Sequence, residues 1–237
     1  RPTGHIVRSG TSLLPDDDTL SATSWMNGVF GSQLTIGNTS FHKLLSVVRD
    51  PLHILRSSGQ RIFVRTAEGD ELLGLPSAFE MGPAVARWIY HDDRHTIVVR
   101  VAASLDVPAW RLTVDVERGE PVELVVTHDI VLGTNEGDPP GDIVIDGPAG
   151  TGARMAPARE ASFAQHYPEA TFWLVTPDAD ALSSIEREGS HVVVTTRPTA
   201  RFSVVLTGST LSAEQADERA EAGRLGPDSE SHLTADA

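Results

Sequence analysis

The sequence contains no cysteine. That excludes disulfides, thiolate metal sites and a cysteine nucleophile, and it fits a cytoplasmic protein. Lysine is almost missing too: Lys43 stands alone, and the other basic residues are arginines. Positive charge is short overall, with 19 Lys and Arg against 33 Asp and Glu, a net charge of -14. A nucleic-acid backbone demands clustered Lys and Arg, so nucleic acid is excluded as a partner. No apolar run approaches the roughly 18 residues of a membrane helix, and no signal-peptide pattern opens the chain. No membrane partner is therefore expected. Catalytic motifs are also missing. There is no Walker loop, no dinucleotide glycine fingerprint, no His-Glu-x-x-His and no G-x-S-x-G elbow. The run Gly147 to Gly152 is glycine-rich but lacks the Lys-Ser/Thr ending of a phosphate loop. No catalytic residue, metal ligand or cofactor is assigned.

What is there suffices for a packed core. The chain has 237 residues, 40% of them hydrophobic, which suits one large all-β domain. It opens at Arg1 with polar stretches at both ends, and it reads as a piece of a longer protein. Residues 1–23 are read as an extended lead-in, 24–208 as a β-sandwich domain and 209–237 as a helix over 212–225 with a disordered tail. Ser212 supplies the N-cap of that helix, and Glu214 follows where the helix dipole is positive.

The middle of the chain carries the clearest signal. Ala84–His91, Thr96–Ala103, Trp110–Glu117 and Val122–Thr127 are four consecutive strand-like runs separated by turn residues. In the third, Trp110, Leu112, Val114 and Val116 alternate with Arg111, Thr113, Asp115 and Glu117. Period-two alternation buries one face of a sheet and wets the other. Meander spacing predicts an antiparallel sheet. Arg61–Thr66 and Glu71–Leu75 flank a Gly69-Asp70 turn. Further strands are expected over Asp142–Ile145, Ser162–His166 and Thr171–Thr176, with a hairpin of His191–Arg197 and Arg201–Thr207. A weak helix is expected over Asp178–Glu188.

Candidate site residues are few. His91 and His95 bracket Asp92-Asp93; this is either a metal or acid–base cluster or a polar turn, and the turn is favoured. His42, Arg49, Asp50, His53 and Arg56 lie in one polar stretch of sequence, compatible with a sugar or a phosphate if the fold brings them together. Trp88 and Tyr90 share a strand face, either as core or as a stacking platform, with core favoured. Trp88, Tyr90, His91, Arg49, His53 and Arg56 are carried forward as carbohydrate-contacting candidates. An independent sugar epimerase would need a histidine acid and a glutamate base across one ring; His91 or His128 with Glu80 or Glu123 are the available pairs. A stand-alone carbohydrate-binding or structural module is the remaining alternative.

Three segments carry a resemblance: Thr23–Asn38 (TSWMNGVFGSQLTIGN), Arg56–Val64 (RSSGQRIFV) and Pro76–His91 (PSAFEMGPAVARWIYH), together with the strand pair around Trp110 to Asp129. Over roughly Leu13 to Thr207 the chain resembles the N-terminal sandwich region of cellobiose-phosphorylase-like proteins of the glycoside hydrolase family 94 type. The resemblance implies a mostly β fold, a galactose-mutarotase-like super-sandwich of two antiparallel sheets, with a linker-like C-terminal helix. It also implies a non-catalytic role in a larger glycoside phosphorylase or hydrolase. The partners it implies are a catalytic α/α-barrel in the same polypeptide, oligosaccharide and a second copy of the chain.

Overall fold

The computed structural model describes residues 5–7, 22–25, 33–36, 42–43, 60–74, 76–81, 85–103, 109–129, 139, 141–146 and 151–209. The helix expected over 212–225 lies outside them, as do Arg49, His53 and Arg56.

The described residues form 17 strands and one short helix. In chain order these are β1 (His5–Val7), β2 (Ala22–Trp25), β3 (Gln33–Ile36), β4 (His42–Lys43), β5 (Gln60–Thr66) and β6 (Gly69–Leu72). Then come β7 (Ala78–Met81), β8 (Val85–His91), β9 (Thr96–Ala103), β10 (Ala109–Arg118) and β11 (Glu123–Asp129). After these follow β12 (Asp142–Asp146), β13 (Gly152–Ala156), α1 (Ser162–His166), β14 (Thr171–Val175), β15 (Leu182–Glu188), β16 (His191–Thr196) and β17 (Arg201–Ser209).

They make a nine-stranded sheet in the order β1-β7-β8-β9-β10-β17-β14-β13-β12 and a five-stranded sheet in the order β15-β16-β11-β5-β6. A third, three-stranded sheet has the order β2-β3-β4. Every pairing is antiparallel.

One apolar core joins the two large sheets. The nine-stranded sheet contributes Phe79, Trp88, Trp110, Leu112, Phe172 and Phe202; the five-stranded sheet contributes Ile62, Leu124, Val126, Val192 and Val194. Burying each such side chain stabilises the fold by about 1.5–3 kcal/mol. The alternation read in β10 places Trp110, Leu112 and Val114 in this core, as expected. Phe172 packs so tightly across the β14–β17 pair that a Cβ on Gly208 would lie 2.1 Å from its ring.

Four sequence expectations are corrected. The fourth run of the meander, β11, does not continue the sheet of β8, β9 and β10 but crosses to the five-stranded sheet. Gly119 turns the chain with φ of 105°, a conformation only glycine adopts cheaply. Pro121 follows with no N–H to extend the ladder. The expected hairpin of His191–Arg197 with Arg201–Thr207 is likewise a crossing in the other direction, from β16 to β17. The two crossings are bonded to each other: Val122 N–H donates to Thr199 O at 3.1 Å and Thr199 N–H to Val122 O at 2.9 Å.

The weak helix over Asp178–Glu188 is a single turn followed by β15. Leu182 N–H reaches Asp178 O at 3.2 Å, and then the chain pairs with β16. The Asp178 carboxylate leaves its own turn to accept Ser203 N–H at 2.6 Å. Last, Ser162–His166 is a helical turn rather than a strand. Its neighbours β13 and β14 pair directly with each other, so the segment between them has no ladder to join.

Candidate functional site

At one end of the sandwich, the β5–β6 hairpin of one sheet faces the β8–β9 turn of the other across a groove of about 740 Å³. Tyr90, His91, Ser77, Glu71, Leu73 and His95 stand in its walls. Strand β8 places the first two. Alternation sends Trp88 and Tyr90 toward the interior, and Tyr90 comes to the rim because the strand is ending.

Tyr90 is anchored, its hydroxyl donating to Gly74 O at 3.0 Å. Burial pushes its pKa well above the usual phenol value, so it stays a protonated donor. His91 is held by three contacts. Its backbone N–H donates to Ser77 Oγ at 3.0 Å, its carbonyl faces the Ser77 hydroxyl at 3.4 Å, and its Nδ1 lies 2.9 Å from Thr96 Oγ1. The His91 ring is therefore oriented by Thr96 in the facing position of β9.

The Asp92-Asp93 segment is a turn built by its own side chain. Asp92 Oδ1 accepts Arg94 N–H at 2.7 Å and His95 N–H at 2.5 Å. The His95 N–H bond leads in holding this carboxyl below the usual range. The His95 ring lies against Gly119, where an added Cβ would meet it at 2.4 Å. The two histidines thus face different partners. Among the described residues no group of three His, Asp or Glu side chains could hold a metal ion.

Of the carbohydrate candidates, Tyr90 and His91 come together in this groove, while Trp88 lies behind them at 0% exposure. Trp88 meets Phe79 edge to face, with ring centroids 5.2 Å apart at 60°. The walls also hold Leu73 and Glu71, whose segment reads in sequence only as a strand beside a turn, and Ser77, to which the sequence assigns no role.

The epimerase pairs are not assembled. His128 is fully buried on the core side of β11 beside Gln60, whose Nε2 is 3.1 Å from its Nδ1. Glu123 points to the opposite face and binds Arg65 Nη1 at 2.6 Å. Glu80 is bound by Arg87 and sits opposite it, four residues along β8 from His91. That is about 14 Å at strand rise.

Two antiparallel sheets packed face to face, with a polar groove at one end, define a β-sandwich class. The chain belongs to the glycoside phosphorylase supersandwich domain family, whose profile matches residues 1–209. It is also similar to a 1,2-beta-oligoglucan phosphorylase of Listeria innocua serovar 6a, 38% identical over 138 residues. That match covers 58% of this chain and 13% of the Listeria protein. Among the described residues no helix is long and apolar enough to cross a membrane.

Proposed function

We propose that this supersandwich domain is the non-catalytic part of a glycoside phosphorylase acting on β-1,2-linked gluco-oligosaccharides. It supports a catalytic α/α-barrel in the same polypeptide, pairs with a second copy of itself and works in the cytoplasm. Tyr90 and His91, presented side by side in the end groove, contact the oligosaccharide there.

The observation that carries this reading is the similarity to an oligoglucan phosphorylase of which the chain spans only 13%. The chemistry supports it. Phosphorolysis needs cationic groups to hold phosphate and an acid to protonate the departing sugar oxygen. Seven of the described arginines are already engaged. Asp70 and Glu123 hold Arg65, Glu80 holds Arg87, and Asp115 holds both Arg100 and Arg201. Carbonyl oxygens take Arg118, Arg187 and Arg197.

The test is an assay of the 237-residue chain with β-1,2-linked gluco-oligosaccharide and inorganic phosphate. No phosphate is consumed if the reading holds. Turnover by this chain alone, abolished by Tyr90→Phe or His91→Asn, would overturn it.

A further inference from the structure

We infer that the outer face of the five-stranded sheet is a second binding surface, built for a neutral oligosaccharide lying across the strands. The face carries a shallow groove of about 540 Å³, within the size range of small-molecule sites. On β5 it lies on the face opposite the end groove, since Val64 lines the end groove and its neighbour Phe63 lines this one; the two adjoin at Leu72, which pairs with Phe63 but lines the end groove.

The register explains its composition. Leu72, Phe63, Val125, Thr195 and Ser184 stand opposite one another in a single row across all five strands. At strand spacing the row is about 19 Å long. It begins apolar and ends in hydroxyls. The next row on the same face runs through Arg61, Thr127, Val193 and Glu186. The row on the other side is a fixed charge network in which Arg65 donates to Asp70 at 2.8 Å and Glu123 at 2.6 Å.

This arrangement selects a ligand class. The half-buried Phe63 and Val193 offer a small apolar floor to the C–H face of a pyranose, with Val125 buried between their strands at 6% exposure. Among the described residues, Thr127, Thr195, Ser184 and Glu186 have no side-chain partner, which leaves hydroxyls and a carboxylate open to sugar hydroxyls. Asp70, Glu123, Glu186 and Glu188 outnumber Arg65 in the groove and Arg61 in the row beside it, so an anionic ligand is disfavoured. The apolar strip is too narrow for a stable protein interface, which needs roughly 800 Å² per partner. The other face of the sheet is packed core, so the floor is rigid before a ligand arrives. The choice of a glucan among polyhydroxyl ligands rests on the proposed function; the geometry of the surface does not.

The experiment is an NMR titration of the 237-residue chain with β-1,2-linked glucotetraose, with maltotetraose and inorganic phosphate in parallel. Shifts are expected at the amides of Phe63, Val125, Thr127 and Thr195, with a Kd of about 1 mM. Phe63→Ala, with its fold checked by circular dichroism, weakens binding about tenfold. Glu186→Gln lies on an exposed edge strand, leaves the fold intact and weakens binding about threefold. Equal binding of maltotetraose also supports the surface and shows that it does not read the linkage. Shifts absent at about 10 mM of either sugar overturn it. So do shifts confined to the Tyr90–His91 groove, phosphate moving the same amides, or variants that bind as the parent does. Those outcomes leave the phosphorylase reading standing, because its test is turnover rather than binding at Phe63.

Discussion

At the scale of the residue, Asp129 shows the balance between desolvation and pairing most clearly. Its carboxylate ends β11 at 6% exposure and accepts the Ser190 hydroxyl at 2.8 Å. Burial raises its pKa above the usual carboxylate value, while Ser190, His191 and Arg61 each act to lower it. Desolvation wins, so folding favours the protonated form. The contribution to stability is then fully present below the unfolded-state pKa and is lost as pH rises through the folded one. Asp129→Asn keeps the bond from Ser190 and removes the buried charge. It is expected to be more stable than the parent at about pH 7 and to lose that advantage at about pH 3. Urea unfolding at the two pH values measures this. A variant less stable at neutral pH would show that Arg61 and His191 outweigh desolvation. None of this was legible in the sequence, where Asp129 merely closes a strand. Burial depends on which strands flank β11, and these come from residues 60–66 and 191–196.

At the scale of the element, alternation gave the faces of the strands correctly but not their sheets. The pattern in β8, β9 and β10 identifies strands with one buried face, and all three are neighbours in the expected order. The pattern in β11 is just as good, yet it belongs to the other sheet. A period of two says that one face is covered, and either sheet of a sandwich covers it. The segment from Asp178 misled in a different way. Its first turn is real, but Ser183 and Ser184 are poor helix formers and β16 offers a full ladder. Tertiary pairing overrode the local preference.

The β11–β16 ladder also has a weak point that the backbone alone does not close. Leu124 N–H is buried and donates to the Thr196 side-chain hydroxyl at 2.9 Å. Replacing Thr196 with valine keeps the shape and removes the acceptor. Thr196→Val is expected to cost about 1–3 kcal/mol, the penalty of a buried unsatisfied donor. Chemical denaturation gives the value, and Thr196→Ser should recover most of it. A loss below about 0.5 kcal/mol would mean that another acceptor closes the ladder.

At the scale of the whole molecule, the two sheets can only be stable together. Each sheet buries its inner face against the other, and one core cluster draws on both. The chain crosses between them several times, and the reciprocal bonds of Val122 and Thr199 fasten two of these crossings, at residues 118–123 and 196–201, side by side. This is also why the binding surfaces were poorly legible. The end groove joins β5–β6 to β8–β9, and the outer-face row draws one residue from each of five strands spread over residues 60–196. No local spacing reports such a set. Only the residues of one continuous stretch, Tyr90 to His95, could be read together.

The shared core makes a strong statement about unfolding. If the sheets depend on each other, the described residues melt in one transition, whichever sheet is probed. Val194→Ala removes a fully buried side chain from the five-stranded sheet, and Leu112→Ala one from the nine-stranded sheet. Each is expected to destabilise by roughly 1–5 kcal/mol, and the leucine by more, because it leaves the larger cavity. Tryptophan fluorescence, recorded with Trp25→Phe in the background, reports on Trp88, Trp110 and Trp173 in the large, nine-stranded sheet. Hydrogen exchange at Val126 and Val192 reports on the small one. Either substitution should shift both signals by the same free energy. If Val194→Ala moved only the exchange at Val126 and Val192, the five-stranded sheet would be opening on its own. The outer-face groove would then lose the rigid floor on which its affinity depends.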